Sequence, residues 1–421
     1  MSVYKNKWTI LCYLVVGAFL SPLDYFIVNM ALPLIEKSYK ASESQLQMVI
    51  AIYGLTYPSL VVCSGKLGDI YGRRRIFVIG LWTFLFSSLG CALSPSINFL
   101  LFFRFLQGLG ASLLAPQVLA SIKVIFDEPE RTKALGIFGS VFGLAAIISQ
   151  LLGGILLGLE LWGLTWELIF LVNIPIAATC LYGVYTNMPK ERIQRQGIDF
   201  WGIVLVVSSL VCFITRVVYG RGYDWAWWIF VIIGLSFLLL VLFFNYEQNR
   251  EKQGLSVLLE ISLLKSSDFS RNLPLILFYN FTAGLFICYP YYLQIHLGWT
   301  VLASGLAILP YGAGFFLGPL LFAKWNRKNS FWIQLGLGLL SGSFVLLALL
   351  FGNYDTPNSI MHALFLFAGL GHGVLMPSMM KESIGSVANK QIGAASGIIS
   401  TVMQVGSVLG GGSDRNTFLQ P

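Results

Sequence analysis

Charge is what this chain lacks most. Only 11% of its 421 residues are Asp, Glu, Lys or Arg, against about 25% in an ordinary soluble domain. Hydrophobic residues make up 56%, and mean hydropathy is +0.76. A soluble fold of this size has too little interior to hide so much apolar surface, so the composition excludes a water-soluble globule and makes lipid the solvent. A disulfide framework is also missing. All six cysteines (Cys12, Cys63, Cys91, Cys180, Cys212, Cys288) fall in apolar runs, none in a polar loop. No nucleotide-binding loop, metal-ligand cluster or nucleophile motif stands out, which argues against soluble enzyme chemistry, and no cofactor is expected.

What is present is long apolar runs. A helix needs about 20 such residues to cross a bilayer. Thirteen stretches qualify: 8–33, 45–64, 76–95, 97–122, 133–158, 165–187, 199–219, 225–246, 271–294, 300–323, 330–352, 359–380 and 391–411. They are too long and too uniformly apolar for the alternating strands of a membrane barrel. The 43 glycines suit close helix packing in lipid, and the abundant aromatics suit lipid contact and interface anchoring. The opening residues mimic a signal peptide, but the apolar run is too long and passes Asp24 without a small-residue cleavage site, so it reads as an uncleaved first span.

A net charge of +8 is one that nucleic-acid partners attract. The bases sit in short loops between spans, which makes them a topology signal and excludes nucleic acid. With the N-terminus in the cytoplasm, 21 of the 27 Lys and Arg fall inside, five fall outside and Arg104 lies within a span. The bias supports both the orientation and the span count.

Two charged linkers divide the chain, one after the sixth span and one before the ninth. The expected plan is an N-terminal six-helix half (1–190), linkers with two inserted helices (191–269) and a C-terminal half of five helices (270–412), the last one incomplete. A basic echo of the loop at 65–75 follows the tenth span, "GPLLFAKWNRKN", and hints at an internal repeat. The ending "GGGSDRNTFLQP" is polar and too short to cross. Residues 413–421 therefore read as an aberrant tail from a truncated or frame-shifted end.

Ionisable groups inside spans are expensive and are functional candidates by default. Asp24 lies nine residues before Pro33, about 14 Å from the outer end of its span. Arg104 lies seven residues into a span entering from outside, about 10 Å deep. The shared depth predicts a carboxylate–guanidinium pair, and protonating the carboxylate would remove half of it. Gln107 shares the Arg104 helix face. Gln107, Gln117, Gln150, Asn29 and Asn280 are candidate cavity residues, although each amide is as suited to bonding a neighbouring helix as a ligand. His372 reads as a helix-packing histidine. Gly139, Gly143, Gly153 and Gly154 put small residues on the fifth span, as tight packing or bending requires.

The stretch "GKLGDIYGRRR" concentrates four cations, one acid and three glycines between two apolar runs. It resembles the loop 2–3 signature of the major facilitator superfamily through Gly65, Leu67, Asp69, Gly72, Arg73 and Arg74. "LDYFIVNMALP", containing Asp24 and Asn29, is similar to the first-helix motif of that superfamily's fourteen-helix drug:proton antiporter branch. "RFLQGLGAS" matches the fourth-helix motif through Arg104, Gln107, Gly108 and Gly110. The fifth-helix antiporter motif is partly kept at Gly139, Gly143, Gly153 and Gly154, with Ser149 and Gln150 where Gly-Pro is expected. "WELIFLVNIPI" resembles the sixth-helix signature, with Glu167 in place of an arginine.

The resemblance implies an all-α integral membrane protein with a major-facilitator-like fold of two helical halves plus two inserted helices, about 13 transmembrane helices here. It implies a proton-coupled efflux transporter of the inner membrane working by alternating access. Its partners would be an amphipathic small-molecule substrate, protons, the lipid bilayer and an efflux partner in the envelope. Asp24 and Arg104 would couple protons. Gly65, Asp69, Gly72, Arg73 and Arg74 would form a cytoplasmic latch, with Asp69 facing the positive end of the thirteenth span near Gln391. The alternatives are an exporter of a metabolite such as an amino acid or siderophore, and a truncated membrane protein that does not transport.

Overall fold

The computed structural model describes residues 6–159, 161–189, 197–220, 224–282, 289, 293, 297–299, 301–321, 331–351, 359–385, 387–388 and 391–412. Among these every regular element is a helix. The first group comprises α1 (Lys7–Tyr39), α2 (Glu43–Tyr71), α3 (Arg73–Ala92), α4 (Ile97–Ser112), α5 (Ala115–Ile125), α6 (Glu128–Leu159), α7 (Leu168–Leu171) and α8 (Asn173–Asn187). Next come α9 (Phe200–Tyr219), α10 (Trp227–Lys252) and the short α11 (Ile261–Leu264). The last group is α12 (Ser267–Phe281), α13 (Val301–Ala307), α14 (Leu309–Leu321), α15 (Phe331–Phe351), α16 (Ser359–Gly385) and α17 (Ile392–Gly412).

Nine helical spans among the described residues are long and apolar enough to cross a membrane. The other four expected runs coincide with α6, α12, α13–α14 and α15 over their described parts. The structure departs from the sequence reading in local chemistry. The first helix runs past Pro33 to Tyr39, carrying both Pro22 and Pro33 inside it, because neighbouring helices stabilise a proline-interrupted ladder in a membrane protein. The run 97–122 is two helices, broken at Leu113–Leu114, with Pro116 in the first turn of α5. Proline lacks the N–H that a continuous helix would need there, but fits a first turn. The α2 helix starts with a capping box, in which Gln45 N donates to Ser42 Oγ at 3.3 Å and Ser42 N donates to Gln45 Oε1 at 2.9 Å.

Helices α1 to α8 pack among themselves: α1 lies on α6 and α8, α2 on α4, and α3 on α4 and α8. In the last group α16 packs between α14 and α15, while α12 packs on α17 and α16. The α14–α16 crossing is close because Gly369 and Gly373 face the carbonyls of Tyr311 and Phe315. The two groups meet where α17 crosses α2 and α5, and where α6 lies against α13, α14 and α16. A continuous apolar core crosses this seam, joining Phe138 and Val62 of the first group to Met376 and Ile399 of the second. The inserted helices α9 and α10 pair with each other, and α9 leans on both α2 and α17. Their spanning windows are only 22% and 17% buried, against 67% for α1 and α17, so they present most of their surface to lipid.

Candidate functional site

The first cluster is built inside the α1–α8 group. Asp24 on α1 and Arg104 on α4 are both fully buried and form an ion pair through Asp24 Oδ2 and Arg104 Nη1. Arg104 and Gln107 are three residues apart on one helix face, so Arg104 Nη1 also donates to Gln107 Oε1 at 2.7 Å. Gln107 Nε2 returns to Asp24 Oδ1 at 2.9 Å and reaches Ser88 Oγ at 2.8 Å. Asn173 Nδ2 donates to the same Asp24 oxygen at 2.9 Å. Arg104 Nε donates to the Val49 carbonyl at 3.0 Å, and its guanidinium lies 4.4 Å from the Tyr53 ring centroid. Tyr53 is itself anchored by its hydroxyl to Ser21 O at 2.9 Å. Five helices thus contribute to one cluster, and α4 and α8 reach the carboxylate on α1 directly.

This arrangement has a chemical consequence. Removing one partner of a buried ion pair costs about 3–5 kcal/mol, because it strands the other charge. The network also has spare capacity. Among the described residues, Arg104 Nη2 and Asn173 Oδ1 have no hydrogen-bond partner. A carboxylate only accepts, whereas a protonated carboxyl donates once. Turning the Asn173 amide would bring its oxygen round to accept that proton. The cluster is therefore able to exist in two bonded arrangements that differ by one proton.

The second cluster lies where the α2–α3 loop meets α17. Asp69, in the last turn of α2, accepts from the backbone N–H of Gly393 at 3.1 Å and of Ala394 at 3.2 Å. Those are orphan donors at the positive end of a helix, where a carboxylate is favoured. Arg73 Nη2 stands 3.5 Å from Asp69 Oδ1. Arg74 turns the other way, donating to Tyr185 O at 3.0 Å with its guanidinium over that ring. Gly72 makes the reversal from α2 to α3 in a single residue, at φ 90°, a conformation that favours glycine. Gly65 brings the backbones together: a Cβ there would lie 2.0 Å from Gly393 O.

The remaining candidates are placed as follows. Asn29 Nδ2 bonds its own helix at Tyr25 O, 2.9 Å away, and Asn280 does the same at Ile276 O, 2.8 Å away. Gln117 is fully buried and joins α5 to α2 through Ser64 O at 2.7 Å and Ser64 Oγ at 3.0 Å. Gly139 receives Met376 of α16, and Gly153 receives Met30 and Ile27 of α1, while nothing lies within 4 Å of a Cβ at Gly154. The surroundings of Gly143 and the Gln150 side chain lie outside the described residues. The structure brings Asp24, Arg104 and Gln107 together and, separately, Gly65, Asp69, Gly72 and Arg73. Asn29, Gln117 and Asn280 join neither cluster.

Sequence reasoning placed Asn173 in the sixth-helix signature without giving it a role at Asp24, and gave none to Ser88 or Tyr53. A further signal for Asn173 was an amide within an apolar run, a costly placement that calls for a partner. His372 is buried on α16, with Nδ1 2.6 Å from Tyr311 Oη and 2.8 Å from Ser341 Oγ. No group of three metal-ligating side chains occurs among the described residues.

Two helical groups joined along one seam, with a charged network buried in one and a carboxylate bridging to the other, make up a multi-pass helical membrane protein. Residues 14–197 and 184–411 each match the Major Facilitator Superfamily. A probable actinorhodin transporter of Streptomyces coelicolor is 30% identical over 417 residues, which covers 97% of this chain and 72% of that protein. The puromycin resistance protein pur8 of Streptomyces alboniger is 31% identical, covering 96% of this chain and 80% of that protein. The solved proton:xylose symporter XylE aligns with a TM-score of 0.64, covering 96% of this chain and 86% of that one. At 14% identity this likeness shows the shared fold. The chain belongs to the Major Facilitator Superfamily.

Proposed function

We propose that the protein is a proton-coupled exporter of amphipathic small molecules, working by alternating access in the inner membrane with its N-terminus in the cytoplasm. The observation that carries the reading is the buried Asp24–Arg104 pair, held by two amides of which one, Asn173, has a second way to bond. Relatives named for actinorhodin transport and puromycin resistance support the export direction and the substrate class. A proton entering from outside neutralises Asp24, loosens its hold on Arg104 and changes which helix arrangement is favoured. The membrane potential adds about 2.3 kcal/mol per charge per 100 mV. Asp69 and the loop around it act as the cytoplasmic latch, closed while the outer side is open. Handover to an efflux partner in the envelope belongs to the same proposal.

The test is Asp24→Asn in inverted vesicles. The variant keeps the shape and loses the titratable group, so it inserts but no longer couples efflux to a proton gradient. Coupling equal to that of the unaltered protein removes Asp24 from the mechanism. The relative named for actinorhodin transport favours a variant of this reading, export of a metabolite, and a substrate screen in the same vesicles separates the two.

A further inference from the structure

Lys123 lies in the last turn of α5. In the sequence it counts as one more cation holding a loop inside. In the structure its ammonium is buried and crosses the seam between the two helix groups. It donates to the carbonyl oxygens of Ile384 and Val387, with Gly385 O at 3.5 Å. Ile384 and Gly385 are the last two residues of α16. Their carbonyls lie at the negative end of a helix, where a cation is favoured, and Ile384 O also accepts from Val387 N at 3.2 Å. The α5 terminus that carries Lys123 is itself capped, by Arg131 Nη2 donating to Phe126 O at 3.2 Å.

A short connection, 386–391, leads from the end of α16 to the start of α17. The α17 end is the one held by Asp69. The first helix group therefore meets both ends of this connection. A cation from α5 faces the negative terminus of α16, and an anion from α2 faces the positive terminus of α17.

We propose that Lys123 is a positioning residue for alternating access, forming with Asp69 a two-charge clamp on the α16–α17 connection. The clamp rests on the reading that this end of the seam is the cytoplasmic gate. A topology anchor needs only headgroups or water, and a lysine stem is long enough to snorkel to them. Lys123 instead gives up water for carbonyls on the other side of the seam, and it keeps them only while the gate is shut. Lys7–Glu130 and Arg250–Asp199 differ in this respect, since each pair lies within one helix group and moves as a unit. An ammonium suits the site because it is a compact charge with three donors, matching several carbonyls at a helix end.

The experiment uses the full chain in lipid vesicles, with spin labels introduced as unnatural amino acids at the exposed positions Tyr185 and Ala388. Their distance distribution reports whether the gate is shut. Lys123→Met keeps the stem and removes the charge, and it should raise the open fraction relative to the shut fraction about tenfold, the effect of losing one charge-assisted contact. Lys123→Arg keeps the charge but not the compact ammonium, so its open fraction should fall between those of Lys123→Met and the unaltered protein. Asp69→Asn combined with Lys123→Met should open the gate about a hundredfold, because each contact opposes the same motion. If Lys123→Met does not fold, Lys123→Gln replaces it. The proposal is overturned if the Met or Gln variant folds with distances unchanged, or if Arg fails as fully as Met. A protein that answers these distance tests but shows no proton-coupled efflux would sink the transport reading and leave the clamp standing.

Discussion

Gly65→Ala is the smallest change that should unlatch the seam between the helix groups. The added Cβ would lie 2.0 Å from Gly393 O and 2.9 Å from Gly397 N, both backbone atoms that have no rotamer to yield with. Ordinary contact distances then require α2 and α17 to separate by about 1.5 Å. Asp69 now sits 3.1 and 3.2 Å from its two N–H partners, so that separation takes both beyond hydrogen-bond range. Each hydrogen bond to a charged group is worth about 1.5–3 kcal/mol. Taking the low value, because water partly replaces them, gives about 3 kcal/mol in all. At about 1.4 kcal/mol per factor of ten, the shut state loses about a hundredfold in population. The assay is the spin-label distance across the gate in vesicles, with Gly154→Ala as control, since a Cβ there meets nothing within 4 Å. A folded Gly65→Ala protein whose distances match the control would refute the claim that this glycine contact sets the latch.

Arg104→Lys should insert normally yet reduce proton-driven efflux about a hundredfold. A lysine cannot reach Val49 O, Gln107 and Asp24 together as the guanidinium does, and initial rates in inverted vesicles measure the loss. Gly369→Ala should destabilise the α14–α16 crossing by about 1–3 kcal/mol, because its Cβ would lie 2.0 Å from Tyr311 O. Thermal unfolding of the purified protein should show this as a lower midpoint, with Gly342→Ala unchanged because that site is open.

Much of the architecture was legible before any coordinates. Runs of membrane length separated by basic loops leave few alternatives to a helical bundle, because every backbone polar group in lipid must bond within its own segment. Local chemistry set the finer breaks and was read less well. Pro33 looked like the end of the first helix, but the helix continues because neighbouring helices support it. Pro116 lies inside the expected run 97–122 and marks a new helix start there. At the site, depth alone suggested pairing Asp24 with Arg104, since two charges at one level in lipid have few other ways to offset their desolvation. The same depth argument did not separate the amides. Gln107 and Asn173 turn to Asp24, Gln117 turns to Ser64, and Asn29 and Asn280 turn back on their own helices.

The sequence by itself determined that this chain is a membrane bundle, which segments are apolar enough to be candidates for crossing, and which polar groups are too costly to be there without a purpose. These are properties of one segment against its solvent, and a linear string records them. Only the tertiary structure decided partners. It brought Lys123 to the end of a helix more than 250 residues away, set Gly65 against Gly393 and gathered side chains of five helices into the Asp24–Arg104 cluster. Which side chains face each other depends on how distant helices rotate and pack, and no local period along the chain encodes that.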